Sequence, residues 1–293
     1  MIGLVLSQKY KIIRLINGGT FCKLYEGIHL IKNTSVAIKA ESSEIGKKIL
    51  DNEINMYLYL NKHKINIPRI KYIGIYNKYK YIVMDLFDIN LKDYCLKNEI
   101  IMKPIININN ENNENMNIDI YNKLPIDFSS IVYDIYYIVE SFHKRLLVHR
   151  DIKPENFIFD KKGNLYIIDL GLSSFESNRV LKSFIGNKLY SSYNCHLKEY
   201  IYTKNDDLIS VSYMLLHLYT GILPWNESST DIYKLKKETN FIDFYKLHNK
   251  YDIITEKIIK LYHVINKNNQ SNKNNENCCL TIDKILSDAI NSC

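Results

Sequence analysis

One stretch constrains this chain more than any other: VHRDIKPENFIFDKKGNLYIIDLGL, residues 148 to 172. It carries Asp151, Lys153 and Asn156 at spacings of two and three residues, then two short apolar runs around Lys161, Lys162, Gly163 and Asn164 that predict a hairpin. Asp169-Leu170-Gly171 follows directly. Each tripeptide in this segment arises often by chance, but the ordered set does not. Upstream, INGGTFCKLYEG (16 to 27) has the rhythm of a glycine turn between strands, and VAIK (36 to 39) has the β-branched and apolar character of a strand.

The surroundings of these motifs define an α+β chain. Residues 10 to 40 read as strand, glycine turn, strand, turn, strand, an antiparallel meander. From Ser43 to Asn61 the pattern becomes helical, with Ile45, Ile49, Ile54, Tyr57 and Leu58 on a face and Ser43 placed to cap the start. Pro68 opens an extended stretch, RIKYIGIY, and KYIVMDLF returns across a turn at Asn77 and Lys78. Residues 1–87 are thus expected to form a five-stranded sheet with one helix. Residues 88–293 read as mainly helical, with DFSSIVYDIYYIVESFHKRL and DDLISVSYMLLHLYTG apolar enough to form a helical core. Two Asn-rich tracts, at about 104–123 and 266–277, bury too little apolar surface to offset their ordering entropy and are expected as surface insertions, the second between two late helices.

With 293 residues, 46% hydrophobic and 24% charged, the chain can bury a sizeable core. No apolar run reaches the roughly 18 residues a bilayer span needs, and charge enters the first segment too early for a secretory leader, so an intracellular protein is expected. The six cysteines show neither CxxC nor Cys/His metal spacing. The net charge of +7 is spread among Asn, Ile and Tyr and reads as a solvated surface, with no specific nucleic-acid site and no membrane site. The abundance of Asn, Ile, Lys and Tyr is what AT-rich codons produce.

The chemistry these residues suit is phosphoryl transfer, and the ordered set is the signature of protein kinases. That reaction needs a nucleophile held in line with the γ-phosphate and cations to offset developing charge, so positioning and electrostatics dominate. Asp151 suits the carboxylate that accepts the substrate hydroxyl's proton, and Lys153, on the same face of an extended loop, neutralises the transferring group. Asn156 and Asp169 offer oxygens suited to a hard cation such as Mg²⁺. Gly171 lets the chain turn immediately after Asp169. Lys39 would reach the α- and β-phosphates of ATP, and it needs a carboxylate to hold it extended. Glu53, on the inner face of the helix, is the choice over Glu44, which falls near the helix start.

Taken together, VAIKAE (36 to 41), VHRDIKPENF (148 to 157), GNKLYSSYNCHL (186 to 197) and KNDDLISVSYMLLHLYTGILPW (204 to 225) resemble the casein kinase I branch of the protein kinases. Where most kinases end the activation segment in Ala-Pro-Glu, this branch has a Ser-Ile-Asn type sequence, and Ser192, Tyr193 and Asn194 stand there. The resemblance spans about residues 8 to 265 and implies a bilobal fold, with a β-rich N-lobe and a helical C-lobe. It implies an ATP- and Mg²⁺-dependent Ser/Thr kinase acting on protein substrates, as a monomer. It makes Asp151 the catalytic aspartate, Lys153 the catalytic-loop lysine, Asn156 and Asp169 the metal ligands, and Lys39 and Glu53 the ion pair. Met84 becomes the gatekeeper and Asp85, Leu86 and Phe87 the hinge, while Ile16, Leu24, Ala37 and Ile158 sandwich the purine. Asp207 braces the catalytic loop from the helix below. Asn17, Gly19 and Cys22 fall at the three positions of the phosphate-loop glycines, with Gly18 in the variable place before Gly19.

Two departures bear on function. In the segment that reads GTARY in the family, this chain has GNKLY, with Leu189 in place of the arginine of a basic anion site; Lys182, Lys188 and Lys236 are the lysines available to replace its charge. Cys22 carries a side chain where the family has glycine, a cost on the order of 1–2 kcal/mol if the backbone there needs φ > 0. A tail-less member is expected, without the long regulatory tail of many members. The rivals to an active kinase are a pseudokinase scaffold that binds partners without turnover and a small-molecule phosphotransferase of related fold. The NDDLISVSYMLL and GILPW segments, which belong to the family's protein-substrate lobe, argue against the latter.

Overall fold

The computed structural model describes residues 1–19, 22–45, 49–98, 128–226 and 228–271. Two compact units emerge, residues 1–90 with 156–174 and residues 91–155 with 175–293. The first is built on an antiparallel sheet of β1 Val5–Leu6, β2 Tyr10–Gly18, β3 Cys22–His29, β4 Thr34–Ser42, β5 Ile70–Tyr76 and β6 Tyr79–Asp85, in spatial order β1-β2-β3-β4-β6-β5. The sheet has six strands rather than five, because Val5 and Leu6 pair with Lys11 and Tyr10 at its edge and Leu6 is fully buried. Strand periodicity then sorts β4 into two faces. Val36, Ile38 and Ala40 join Leu6, Tyr10, Ile12, Tyr25, Tyr81 and Val83 in one apolar cluster. Ala37, Lys39 and Glu41 therefore share the opposite face.

Helix α1, Ile49–Leu60, buries Leu50, Glu53, Ile54, Met56, Tyr57 and Leu60. The expected single helix from Ser43 is divided, since Ser43–Ile45 forms a separate 3-10 turn. Ser43 is exposed and donates its N–H to the Lys78 carbonyl at 2.8 Å, so it does not cap α1. The cap comes instead from Glu41, whose Oε1 accepts the N–H groups of Ile49 (3.2 Å) and Leu50 (3.4 Å). A carboxylate placed against unpaired N–H groups at a helix start meets both their hydrogen-bonding need and the helix dipole. The hairpin read around Gly163 also belongs to this unit, with Phe157–Phe159 paired antiparallel to Leu165–Ile167 and to Ile89–Asn90.

The second unit contains α2 Leu91–Lys97, α3 Phe128–His143, α4 Lys204–Thr220, α5 Ile232–Glu238, α6 Phe241–Leu247 and α7 Ile253–Ser271. In α3, Phe128, Ile131, Val132, Ile135, Tyr136, Ile138, Val139 and Phe142 form the buried stripe that helical periodicity requires. α4 is buried on nearly all sides, starts in a capping box of Thr203 and Asp206, and packs Tyr213 against Trp225, Phe241 and Tyr262. The second Asn-rich tract is not a loop throughout: residues 266–271 continue α7. The tract at 104–123, the remainder of the second and the rest of the expected final helix lie outside the described residues. No helix among the described residues is long and apolar enough to cross a membrane.

Candidate active site

In the first unit, the β4 face that carries Glu41 also aims Lys39 at α1. The Lys39 ammonium lies 2.7 Å from Glu53 Oε2 and 2.8 Å from Asp169 Oδ1. Burial opposes the charge on Lys39, but the two carboxylates outweigh it and hold the ammonium's pKa above its ordinary value. Burial likewise pushes the Glu53 carboxyl up against the pull of Lys39; at 2.7 Å from an ammonium that stays protonated, Glu53 is ionised. Glu44, the competitor, makes an exposed pair with Lys78 at 2.9 Å.

Asp169 sits in the left-handed region, at φ 63° and ψ 66°. For a non-glycine residue that conformation costs about 1–3 kcal/mol and persists only where neighbours over-determine it. Here α1 does so. The Tyr57 hydroxyl accepts the Asp169 N–H at 3.3 Å and donates to Glu53. Asn52 Nδ2 donates to the carbonyls of Gly171 and Ser173, both at 2.9 Å. Gly171 is needed for proximity rather than for a turn, because a Cβ there would lie 2.5 Å from Ile49 Cγ2; the positive φ falls on Asp169 instead. Asn156, buried at 4% exposure, is tied to the same strand end, since its carbonyl accepts the Ile168 N–H at 2.9 Å.

The residues expected around a nucleotide also lie in this unit. Ala37 stands opposite Met84 across β4 and β6, and Leu24 opposite Lys39 across β3 and β4. Ile158 pairs with Tyr166 and Asn90, while Ile16 occupies the bulge between Leu15 and Asn17 and is 40% exposed. Asp85 ends β6, accepting the Arg69 N–H at 3.0 Å and pairing with Lys71 at 2.7 Å. Leu86 and Phe87 follow, with the Phe87 ring 4.6 Å from Tyr166. In the glycine turn, Asn17 and Gly18 pair with Leu24 and Lys23, and a Cβ on Gly19 would meet the Cys22 carbonyl at 3.1 Å. Cys22 itself opens β3 opposite Glu41, an extended strand position where a side chain brings no turn strain.

In the second unit, Asp151 is buried at 7% exposure and its Oδ2 lies 2.6 Å from the Lys153 ammonium. Arg150, just before it, also has a left-handed backbone, at φ 70°. Asp207 of α4 secures this loop from a fully buried position. Its Oδ2 accepts the His149 N–H at 2.7 Å and contacts His143 Nε2 at 3.1 Å, while Oδ1 accepts the Arg150 N–H at 3.0 Å and the Tyr202 hydroxyl at 2.8 Å. Burial pushes the Asp207 carboxyl up, but these donors together with His143 and His149 hold it below its ordinary value. Gly186 packs directly on this loop: at φ 102°, a Cβ would lie 2.3 Å from the Arg150 carbonyl.

The segment from Gly186 to Leu197 is lashed to α4 and α5. Ser192 Oγ donates to Asp206 Oδ1 at 2.5 Å, Asn194 Nδ2 reaches the same oxygen at 3.4 Å, and Trp225 Nε1 donates to the Leu189 carbonyl at 2.8 Å. Of the lysines considered for an anion site, Lys182 is exposed and pairs with Glu199 at 3.5 Å, and Lys188 is exposed. Lys236 is fully buried, which removes it from that role. Sequence reasoning did not find Glu41, Asn52, Tyr57 or His143; each acts through a contact with another element, and the only signal was that Glu41, Asn52 and Tyr57 flank Lys39 and Glu53. Residues 10–290 match the family model for the protein kinase domain.

Proposed function

The chain belongs to the protein kinase domain family, and from that premise we propose that it is an active Ser/Thr kinase of the casein kinase I type, acting as a monomer on protein substrates. The observation that carries this reading is the Lys39 ammonium held by Glu53 and Asp169 at 2.7 and 2.8 Å, an arrangement a scaffold without chemistry has no need to keep. In the proposed reaction the acceptor hydroxyl oxygen bonds to the γ-phosphorus of ATP, the bond to the β–γ bridging oxygen breaks, and ADP departs. Asp151 orients the hydroxyl and takes its proton, with Lys153 beside it to balance negative charge on the transferring group. Lys39 contacts the α- and β-phosphates from a position that Glu53 fixes.

Asn156 and Asp169 would hold Mg²⁺. An amide and a carboxylate oxygen suit a hard cation that takes few protein ligands and keeps water and phosphate oxygens for the rest, and the Asp169 side chain remains 42% exposed. When bound, the metal supplies charge neutralisation at the phosphates. Lys153 in the catalytic loop favours Ser/Thr over Tyr acceptors. The casein kinase I assignment is supported by Ser192 and Asn194, both bonded to Asp206, in place of an Ala-Pro-Glu ending. Incubation with Mg²⁺, labelled ATP and casein, followed by phosphoamino-acid analysis, should yield phosphoserine and phosphothreonine. Label confined to phosphotyrosine would refute the Ser/Thr assignment. A thermal shift with Mg-ATP but no label on any acceptor would favour the scaffold.

A further inference from the structure

Lys236 is fully buried, whereas the Lys39 side chain is 14% exposed, and the surroundings of the two differ. Lys236 lies on α5 between Lys234 and Lys237, both exposed, yet is itself 0% exposed. Its ammonium donates to the Lys188 carbonyl at 2.7 Å, the Ser191 carbonyl at 2.5 Å and His196 Nε2 at 3.2 Å, with Ser191 Oγ at 3.5 Å. The Trp225 and Tyr213 rings stand 5.3 and 5.6 Å away, within cation–π range. Among the described residues, no carboxylate pairs with it. The titratable groups facing it are neutral at pH 7: burial pushes the Cys195 thiol up to about 12 and pulls His196 down to about 4, and burial holds the Tyr213 phenol well above its ordinary value.

An ammonium in such a place is costly, and an apolar side chain of equal length would fill the space at less cost. What a methionine cannot do is donate to three acceptors spread from residue 188 to residue 196. We propose that Lys236 is the positioning residue of the protein-substrate segment, residues 186–197, gathering Lys188, Ser191 and His196 around one cation so that the segment is preformed without a phosphate. The inference rests on the kinase reading of this chain. The bonds from Ser192 to Asp206 and from Trp225 to Leu189 fix single points, whereas Lys236 spans both ends.

The test compares wild type, Lys236→Met, Lys236→Arg and the exposed control Lys237→Met at pH 6.5, measuring KM for casein, KM for ATP, ATP hydrolysis without acceptor, and melting temperature. Charge-assisted hydrogen bonds of this kind lead to an expected rise in casein KM of roughly tenfold or more in Lys236→Met. KM for ATP and acceptor-free hydrolysis should stay within about twofold of wild type on the same grounds. Lys236→Arg should recover part of the loss, and Lys237→Met should show none. A casein KM unchanged in a folded Lys236→Met protein would overturn the proposal. So would a parallel fall in acceptor-free hydrolysis, which marks a general structural role. If Lys236→Met does not fold, Lys236→Arg decides, because a casein KM equal to wild type together with a lowered melting temperature would also overturn it. A wild type that labels no acceptor at all contradicts the kinase reading itself, a separate outcome.

Discussion

Two lysines, Lys39 and Lys236, are largely or wholly removed from water and solve the cost of a desolvated cation in opposite ways. Lys39 meets two carboxylates within 3 Å and is held protonated. Lys236 meets carbonyls, an imidazole and two rings, and burial pulls its pKa down to about 7. The difference follows from what each is proposed to do. A lysine that touches phosphate must stay charged and must not wander, which the Glu53 pair enforces. A lysine that organises backbone needs donors more than charge, and neutral acceptors suffice.

Removing the cation in the first setting should have the largest effect. Lys39→Met is expected to lower kcat by roughly 10²–10³-fold, since it deletes a preorganised charge at the phosphates and leaves Glu53 buried without its partner. Lys39→Arg should do nearly as badly, because a planar fork does not reproduce a compact ammonium between two carboxylates. Steady-state kinetics at saturating ATP check both, and a variant within threefold of wild type would break the comparison.

The next prediction concerns pH. Lys39, raised, contributes stability that is fully present below the unfolded lysine value of roughly 10.4 and is lost only as pH rises through its still higher folded value, so it is constant from pH 5 to 9. Lys236, lowered to about 7, gives up its proton in the folded state while the unfolded chain keeps one up to about pH 10.4. Between those limits the unfolded state holds more protons, and stability due to this site rises with pH, by at most about 1.4 kcal/mol per unit. Urea unfolding of wild type and Lys236→Met from pH 6 to 9 should show that rising limb only in the difference between them. In parallel, ¹³C NMR of lysine Cε should find one signal, lost in Lys236→Met, titrating near pH 7, and the Lys39 signal not titrating at all.

Smaller effects are expected where the support is indirect. Asn52→Leu deletes two hydrogen bonds from α1 to the Asp169 turn, at a cost of about 1–3 kcal/mol, and should lower kcat a few-fold with a reduced melting temperature. Cys22→Gly should leave KM for ATP within about twofold and cost about 0.5–1 kcal/mol of stability, because Cys22 lies in a strand, where glycine is less favourable than a residue with a side chain. A markedly tighter ATP constant in Cys22→Gly would mean that the loop is strained after all.

Those two residues also illustrate where sequence reasoning reached and where it stopped. The meander, the pairing of Lys39 with Glu53 and the bracing of the 149–151 loop by Asp207 were legible, because strand alternation and ordered motifs fix them locally or because the family resemblance carried them. Glu41 as the cap of α1 was not, since it needs a strand and a helix to be placed together; the nearer Ser43 was the local choice and is instead bonded to Lys78. Asn52 and Tyr57 reach backbone groups more than a hundred residues away, which no spacing announces. Lys236 looked like one more surface lysine among Lys234 and Lys237, and only burial tells them apart. The Asn-rich start of the second tract looked unable to order, yet the buried Ile258, Ile259, Leu261, Tyr262 and Ile265 carry α7 through it.

The most direct test of the central claim is transfer of label from γ-labelled ATP to casein by wild type and by Asp151→Asn, each verified as folded. Asparagine keeps the shape of the side chain but cannot take the hydroxyl proton. The account predicts Mg²⁺-dependent transfer by wild type and a fall of at least roughly 10²-fold in the variant. Transfer surviving in Asp151→Asn at a comparable rate would contradict it.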